Sequence, residues 1–369
     1  MRRILSSLFF FYIGLLHSQE DDKKNTSYID AQIFRGNVIK HADYVGHLIS
    51  NHPEGVLLGY NWKTFGNKEW EQVYNYPDYG ISYQYIDFKN PYIGNNHAIG
   101  IHYNFYFFKR HLMLRISQGI GITSNPYDKE INNKNNAFGT KILDNNYFLL
   151  QYQKQNIIGR FGLQAGLFLT HFSNGRFKAP NSGINTVALN VGVNYNFSEE
   201  KSFIKDSLPS NASYRERIKY NFAFRTGISE GSVVGLGQRQ FYHIGLYADK
   251  RIGRKSALQL GTDIFFSRYL KDYIKFVSVA FPEGNSQHTN PNTDYKRVGL
   301  FVGHELFINK LSIETQLGYY IYKPFDYEID IYQRIGLKYY VYKKWFTGVG
   351  LKAHAGRAEA IEATLGIRL

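Results

Sequence analysis

From residue 28 onward, apolar and polar positions alternate with a period of two over many successive stretches. After Thr186 one parity holds Val187, Leu189, Val191, Val193, Tyr195 and Phe197, and the other holds Ala188, Asn190, Gly192, Asn194 and Asn196. From Leu112 one face carries Leu112, Leu114, Ile116, Ile120 and Ile122, broken only by Gln118, against Met113, Arg115, Ser117, Gly119 and Gly121. The chain ends with Ile361, Ala363, Leu365, Ile367 and Leu369 alternating with Ala360, Glu362, Thr364, Gly366 and Arg368. Side chains of a strand point alternately to opposite faces, so this pattern predicts strands with one apolar and one polar face.

The predicted strands run to roughly 10 to 13 residues, long for a soluble sandwich but suited to a tilted strand crossing a bilayer. Their connections alternate in length. Short links fall at Lys109–Arg110, Ile157–Gly159, Arg251–Lys255, Asn309 and Lys344. Long polar stretches lie between them, at 37–54, 124–145, 174–184, 269–296 and 323–331. Short periplasmic turns alternating with long external loops are the arrangement of an outer-membrane barrel. The expected fold is therefore all-β, a transmembrane antiparallel β-barrel of about 16 strands, with 12 to 16 compatible with the pattern. The strands are expected near 28–36, 55–63, 80–88, 97–108, 111–123, 146–155, 160–173, 185–197, 218–228, 240–250, 256–268, 297–308, 310–322, 332–343, 345–354 and 359–369. Arg115, Asp263, Glu305, Glu314 and Arg368 occupy the small-residue parity and are expected in a polar lumen. Two links are too long for periplasmic turns, 64–79 and 198–217; the second reads as a plug, a flap or a miscounted strand pair.

Composition adds an address. Arg2 and Arg3 precede an apolar run from Ile4 to Leu16, followed by His17, Ser18 and Gln19, the order of a secretory signal peptide over 1–18. A segment 19–27 would follow in the periplasm, and 28–369 would form the barrel, divided into 28–197 and an additional set of strands over 198–369. The chain has no cysteine, which excludes disulfides, thiolate metal sites and cysteine nucleophiles. Its net charge of +14 calls for an anionic partner, and phospholipid or lipopolysaccharide fits better than nucleic acid because no dense basic run follows the first residues.

The candidate chemistry lies in one strand. From Phe161 the odd positions are Phe161, Leu163, Ala165, Leu167 and Leu169, and then His171 and Ser173 continue the same lipid-facing parity. Asn185 shares its parity with Val187 and Leu189 on the next strand. All three are thus expected on the outer wall, near the interface beside the external loop 174–184. A serine beside a histidine base is the minimum for nucleophilic catalysis. On the outside of a barrel, its substrate would be a lipid ester.

The stretch "HFSNGRFKAPNSGIN" resembles the PagL-type lipid A 3-O-deacylase family, in the long form described as acyloxyacyl hydrolase-like. The match is specific over 171–185 and looser over 28–197, where "EGVLLGYNWKT", Trp70 and "YPDYGISY" also fit; 198–369 lies beyond the short family members. The resemblance implies a serine esterase of the cell outer membrane acting on lipid A, with no cofactor and no metal. It implies Ser173 as nucleophile, His171 as general base, Asn181 as oxyanion donor and Asn174 as support for the turn. Arg176 and Lys178 would contact lipid phosphates. The family's third member is a glutamate, whereas Asn185 stands here and no Asp or Glu occurs from His171 through Ser198. An asparagine carbonyl can accept the imidazole N–H and fix its tautomer, but cannot stabilise imidazolium by charge. A non-enzymatic porin that keeps the motif is the other reading, since about 16 strands can enclose an aqueous channel. A homodimer stays open.

Overall fold

The computed structural model describes residues 26–41, 43–198, 201–205, 214 and 216–369. The expected signal peptide 1–18, most of the segment 19–27 and part of 198–217 lie outside the described residues.

Among the described residues sixteen antiparallel strands form, in agreement with the periodicity, but they do not share one wall. The first eight are β1 (Ser27–Val38), β2 (Glu54–Trp62), β3 (Asp78–Asp87), β4 (Asn95–Phe107), β5 (Leu112–Thr123), β6 (Ile142–Ile158), β7 (Phe161–Ser173) and β8 (Ile184–Asn196). They close on themselves through a β1–β8 ladder running from Tyr28↔Asn196 to Val38↔Thr186. The second eight are β9 (Lys219–Ser229), β10 (Arg239–Arg251), β11 (Ser256–Ser267), β12 (Arg297–Ile308), β13 (Leu311–Tyr322), β14 (Ile331–Tyr342), β15 (Trp345–His354) and β16 (Arg357–Arg368). These close through β16 and β9, from Ala363↔Thr226 to Arg368↔Asn221. The expectation of one sixteen-stranded wall is corrected to two eight-stranded barrels. The stretch from Phe197 to Ile218 connects them, which accounts for its length.

Eight strands leave an interior just wide enough to be filled by side chains, and here both hold buried networks of charged and polar groups beside apolar clusters, among them Phe34, Met113 and Phe168 in the first and Phe265, Phe301 and Phe346 in the second. In the first barrel Arg115 meets Asp30 through two nitrogens, at 2.6 and 3.1 Å, and Asn61, His102 and Asn104 complete the network. In the second, Arg334 joins Asp263 at 2.7 Å and Glu362 at 2.6 Å. Arg225 reaches Asp263, and Lys338 reaches Glu305 at 2.8 Å and Glu314 at 3.3 Å. Arg115, Asp263, Glu305 and Glu314 are buried inside as expected, while Arg368 sits at the short-turn end between Asp249 and Glu216. The opposite parity is an exposed apolar band that includes Leu163, Leu167, Leu189, Val191, Leu260, Val302 and Leu317. An apolar surface of that extent around a closed wall belongs against lipid.

The links 64–79 and 269–296 contain helices that alternation does not signal, α1 (Glu69–Val73) and α2 (Tyr269–Ala280). At the short-turn end Tyr74, just after α1, donates its hydroxyl to the Phe307 carbonyl at 2.7 Å, and Arg254 pairs with Glu69. The barrels therefore touch side by side at that end. They touch again at the long-loop end, beside the candidate site.

Candidate active site

His171 and Ser173 are the last outward positions of β7 before the chain leaves the wall, and their neighbours come from the strands on either side. The ladder sets His171 opposite Asn185 on β8 and opposite Asn146 on β6, and Ser173 opposite Asp144. His171 Nδ1 lies 2.7 Å from Asn185 Oδ1, so the ring donates its Nδ1 proton to the carboxamide oxygen and keeps Nε2 as the basic nitrogen. The i, i+2 spacing places Ser173 next to that ring on the same face. A Cβ on Gly183 would stand 2.9 Å from His171 Cε1 and 3.1 Å from Ser173 Cβ; with φ of +66°, this position suits only glycine. Both side chains thus converge on the space over Gly183.

Ser173 keeps the outward parity of Leu167, yet is only 5% exposed against 52% for that leucine. The segment that follows covers it. Asn174 N–H donates to Asn181 Oδ1 at 2.7 Å, and Asn174 Nδ2 donates to the Lys178 carbonyl at 2.7 Å, which folds 174–181 into a closed loop. Gly175 N–H points at Ser173 Oγ from 3.4 Å. The far side of the loop is tied to 125–140: Ser182 N–H reaches the Asn136 carbonyl at 3.1 Å and Gly183 N–H the Ala137 carbonyl at 3.2 Å.

Of the residues expected from sequence, His171, Ser173 and Asn185 are brought together on one face, and Asn174 and Asn181 form the loop over them. Lys178 is exposed at the loop surface. Arg176 is placed differently from the expectation of a phosphate contact. Its guanidinium pairs with Glu328 at 3.0 Å and packs over the Tyr269 and Tyr327 rings, so its charge is directed into the protein. His102 and His243 are buried in the two lumens, away from this site.

Sequence reasoning missed Asp144. It accepts from Gln118 at 2.5 Å and from Asn146, and all three lie on the outward parity beside Ser173. The run "DNN" reads as loop, and β6 was expected only from 146, whereas it starts at Ile142. The one available signal was Gln118, the polar break in an otherwise apolar face.

A family model described as Lipid A 3-O-deacylase (PagL) matches residues 54–194, within the first barrel, and one described as Acyloxyacyl hydrolase, C-terminal domain, matches 218–369, the second barrel. No curated protein matches the chain. Among solved structures, the outer membrane protein Omp33 of Acinetobacter baumannii is similar at 10% identity and a TM-score of 0.19, covering 94% of this chain and 100% of that one. A mutant Rhodopseudomonas blastica porin is similar at 8% identity and a TM-score of 0.19, covering 93% and 99%. With one family model on each barrel, the chain belongs to the PagL family of outer-membrane lipid A 3-O-deacylases.

Proposed function

We propose that this protein hydrolyses an ester-linked acyl chain of lipid A from the outer wall of its first barrel, with Ser173 as nucleophile and His171 as general base. The observation that carries this is the pairing of His171 Nδ1 with Asn185 at 2.7 Å, which leaves Nε2 as a base on the same outward parity as Ser173, beneath the loop that covers it. His171 Nε2 takes the proton as Ser173 Oγ attacks the ester carbonyl carbon, and the carbonyl oxygen becomes an oxyanion. Collapse expels the lipid's alkoxide, which takes the proton from His171, and leaves the acyl chain on Ser173. A water activated by the same ring then releases the fatty acid and restores the serine. Gly175 N–H is one donor for the oxyanion. Asn181 is the second: its oxygen accepts from Asn174 N–H, and its amide nitrogen would donate to the oxyanion. Each donor aimed at that charge contributes about 3 to 4 kcal/mol. Lys178, exposed on the loop, is the group to meet a lipid phosphate.

Ser173→Ala tests the reading. The variant should keep the mobility of a folded barrel on unheated gels, while deacylation of lipid A, followed by mass spectrometry, falls by at least about three orders of magnitude. Near wild-type deacylation by this variant would exclude Ser173 as nucleophile.

A further inference from the structure

The loop that covers Ser173 is bound as much by the second barrel as by the first. Glu230, buried at the end of β9, receives Ala179 N–H on one carboxylate oxygen at 2.8 Å. Its other oxygen receives Gly235 N–H at 3.3 Å and Gly237 N–H at 3.1 Å, so it ties this loop and its own to one carboxylate. The Arg176 carbonyl accepts from Glu230 N–H at 3.1 Å and from Ser229 Oγ at 3.3 Å. The Phe177 carbonyl accepts from Gln238 Nε2 at 2.9 Å. Gly175 packs directly on the Ile361 side chain of β16, and no side chain larger than hydrogen fits there. Arg176 closes the seat between Tyr269, Tyr327 and Glu328. Residues 175, 176, 177 and 179 are thus each held by the second barrel; of the two oxyanion donors, Gly175 begins that run and Asn181 follows it by two residues.

We propose that the second barrel is a built-in positioning partner for the site on the first: Glu230 and the Arg176–Glu328 pair hold segment 175–179 so that its flanking donors stay aimed at the oxyanion. Glu230, Arg176 and Glu328 are positioning residues and touch no reacting atom. The inference rests on Ser173 and its loop being the reaction centre. It gives the second barrel a task in catalysis that needs neither a pore nor a site of its own. A donor displaced by about 1 Å can cost on the order of 100-fold in rate, whereas substrate meets the outer wall of the first barrel, which these contacts leave in place. The signature is therefore a loss in kcat at nearly constant KM.

The full chain is compared with Glu230→Gln, Arg176→Met, Arg176→Lys and Glu328→Gln in the same detergent micelles, with lipid A as substrate. Glu230→Gln and Arg176→Met should lower kcat by about 10- to 100-fold with KM within about twofold. Arg176→Lys, which keeps the charge opposite Glu328, should recover most of the rate. Mobility on unheated gels reports whether both barrels are closed. If Glu230→Gln does not fold, Glu328→Gln, which leaves every backbone anchor intact, should still lower kcat. Unchanged kcat in the folded variants overturns the proposal. So does a rise in KM alone that disappears on dephosphorylated lipid A, because Arg176 would then be a phosphate ligand. Ser173→Ala, assayed alongside, separates the two readings. If it is inactive while the positioning variants are fully active, only this inference fails; if it is active, the assignment of the site fails first.

Discussion

At the scale of single residues, the centre of the site is a histidine whose orienting partner carries no charge. Asn185 accepts the Nδ1 proton of His171 at 2.7 Å and so fixes the tautomer. In a serine protease the corresponding acid-to-amide exchange costs on the order of 10⁴ in rate, mainly through the wrong tautomer. Here the carboxamide oxygen already faces the ring, so the proposed mechanism should escape that penalty. Asn185→Leu removes the acceptor and should abolish deacylation. Asn185→Glu should keep or raise the rate, because a carboxylate stabilises the imidazolium formed as the serine attacks. The same anion favours the protonated ring before attack, so neutral base accumulates only at higher pH. The rising limb of the rate–pH curve should then move upward. Initial rates against pH for the three proteins in one detergent decide it. An unchanged rate in Asn185→Leu would show that this position does not orient the base.

At the scale of strands and loops, the alternation was read well because each strand has one wet and one lipid face, and β7 and β8 lie within two residues of their expected limits. β6 starts earlier than its pattern predicts because the outward face near its start carries Asp144 and Asn146, polar where the pattern needs apolar residues. The site itself hid that strand end. Parity also shows which residues share a face but not which strands are neighbours, so His171 and Asn185 could be placed together while Asp144 opposite Ser173 could not. The lumen pairs bear on stability at this scale. Arg115 and Asp30 are almost fully buried and linked through two nitrogens. Removing one partner leaves the other charge buried alone, at a cost of about 3 to 5 kcal/mol. Arg115→Met should lower the stability of the first barrel by that order in urea unfolding from micelles. A loss below about 1 kcal/mol would mean water replaces the guanidinium.

At the scale of the molecule, sixteen strands could be counted from sequence, but their closure could not. Any even set of alternating strands satisfies the same facial pattern, and whether β1 meets β8 or β16 depends on register and tilt, which alternation does not encode. The overlong link 198–217 was the remaining clue. Closure as two barrels of eight decides what the molecule can conduct. Both interiors are occupied by buried side chains, ion pairs and aromatic residues among them, including Arg115–Asp30 and Phe168 in one and Arg334–Glu362 and Phe265 in the other. Purified protein in planar bilayers should therefore give no stepwise single-channel conductance, and regular open levels would show that one lumen empties.

The outward parity of His171 and Ser173 has a consequence for kinetics. A site on the outer wall, as proposed, should meet its substrate by lateral diffusion in a sheet of lipid, and the concentration that matters should be a mole fraction. In mixed micelles, adding detergent at fixed bulk lipid A should slow the reaction in proportion to surface dilution, while diluting micelles and lipid together should leave the rate per protein unchanged. A rate that follows bulk concentration instead would mean that substrate arrives through water.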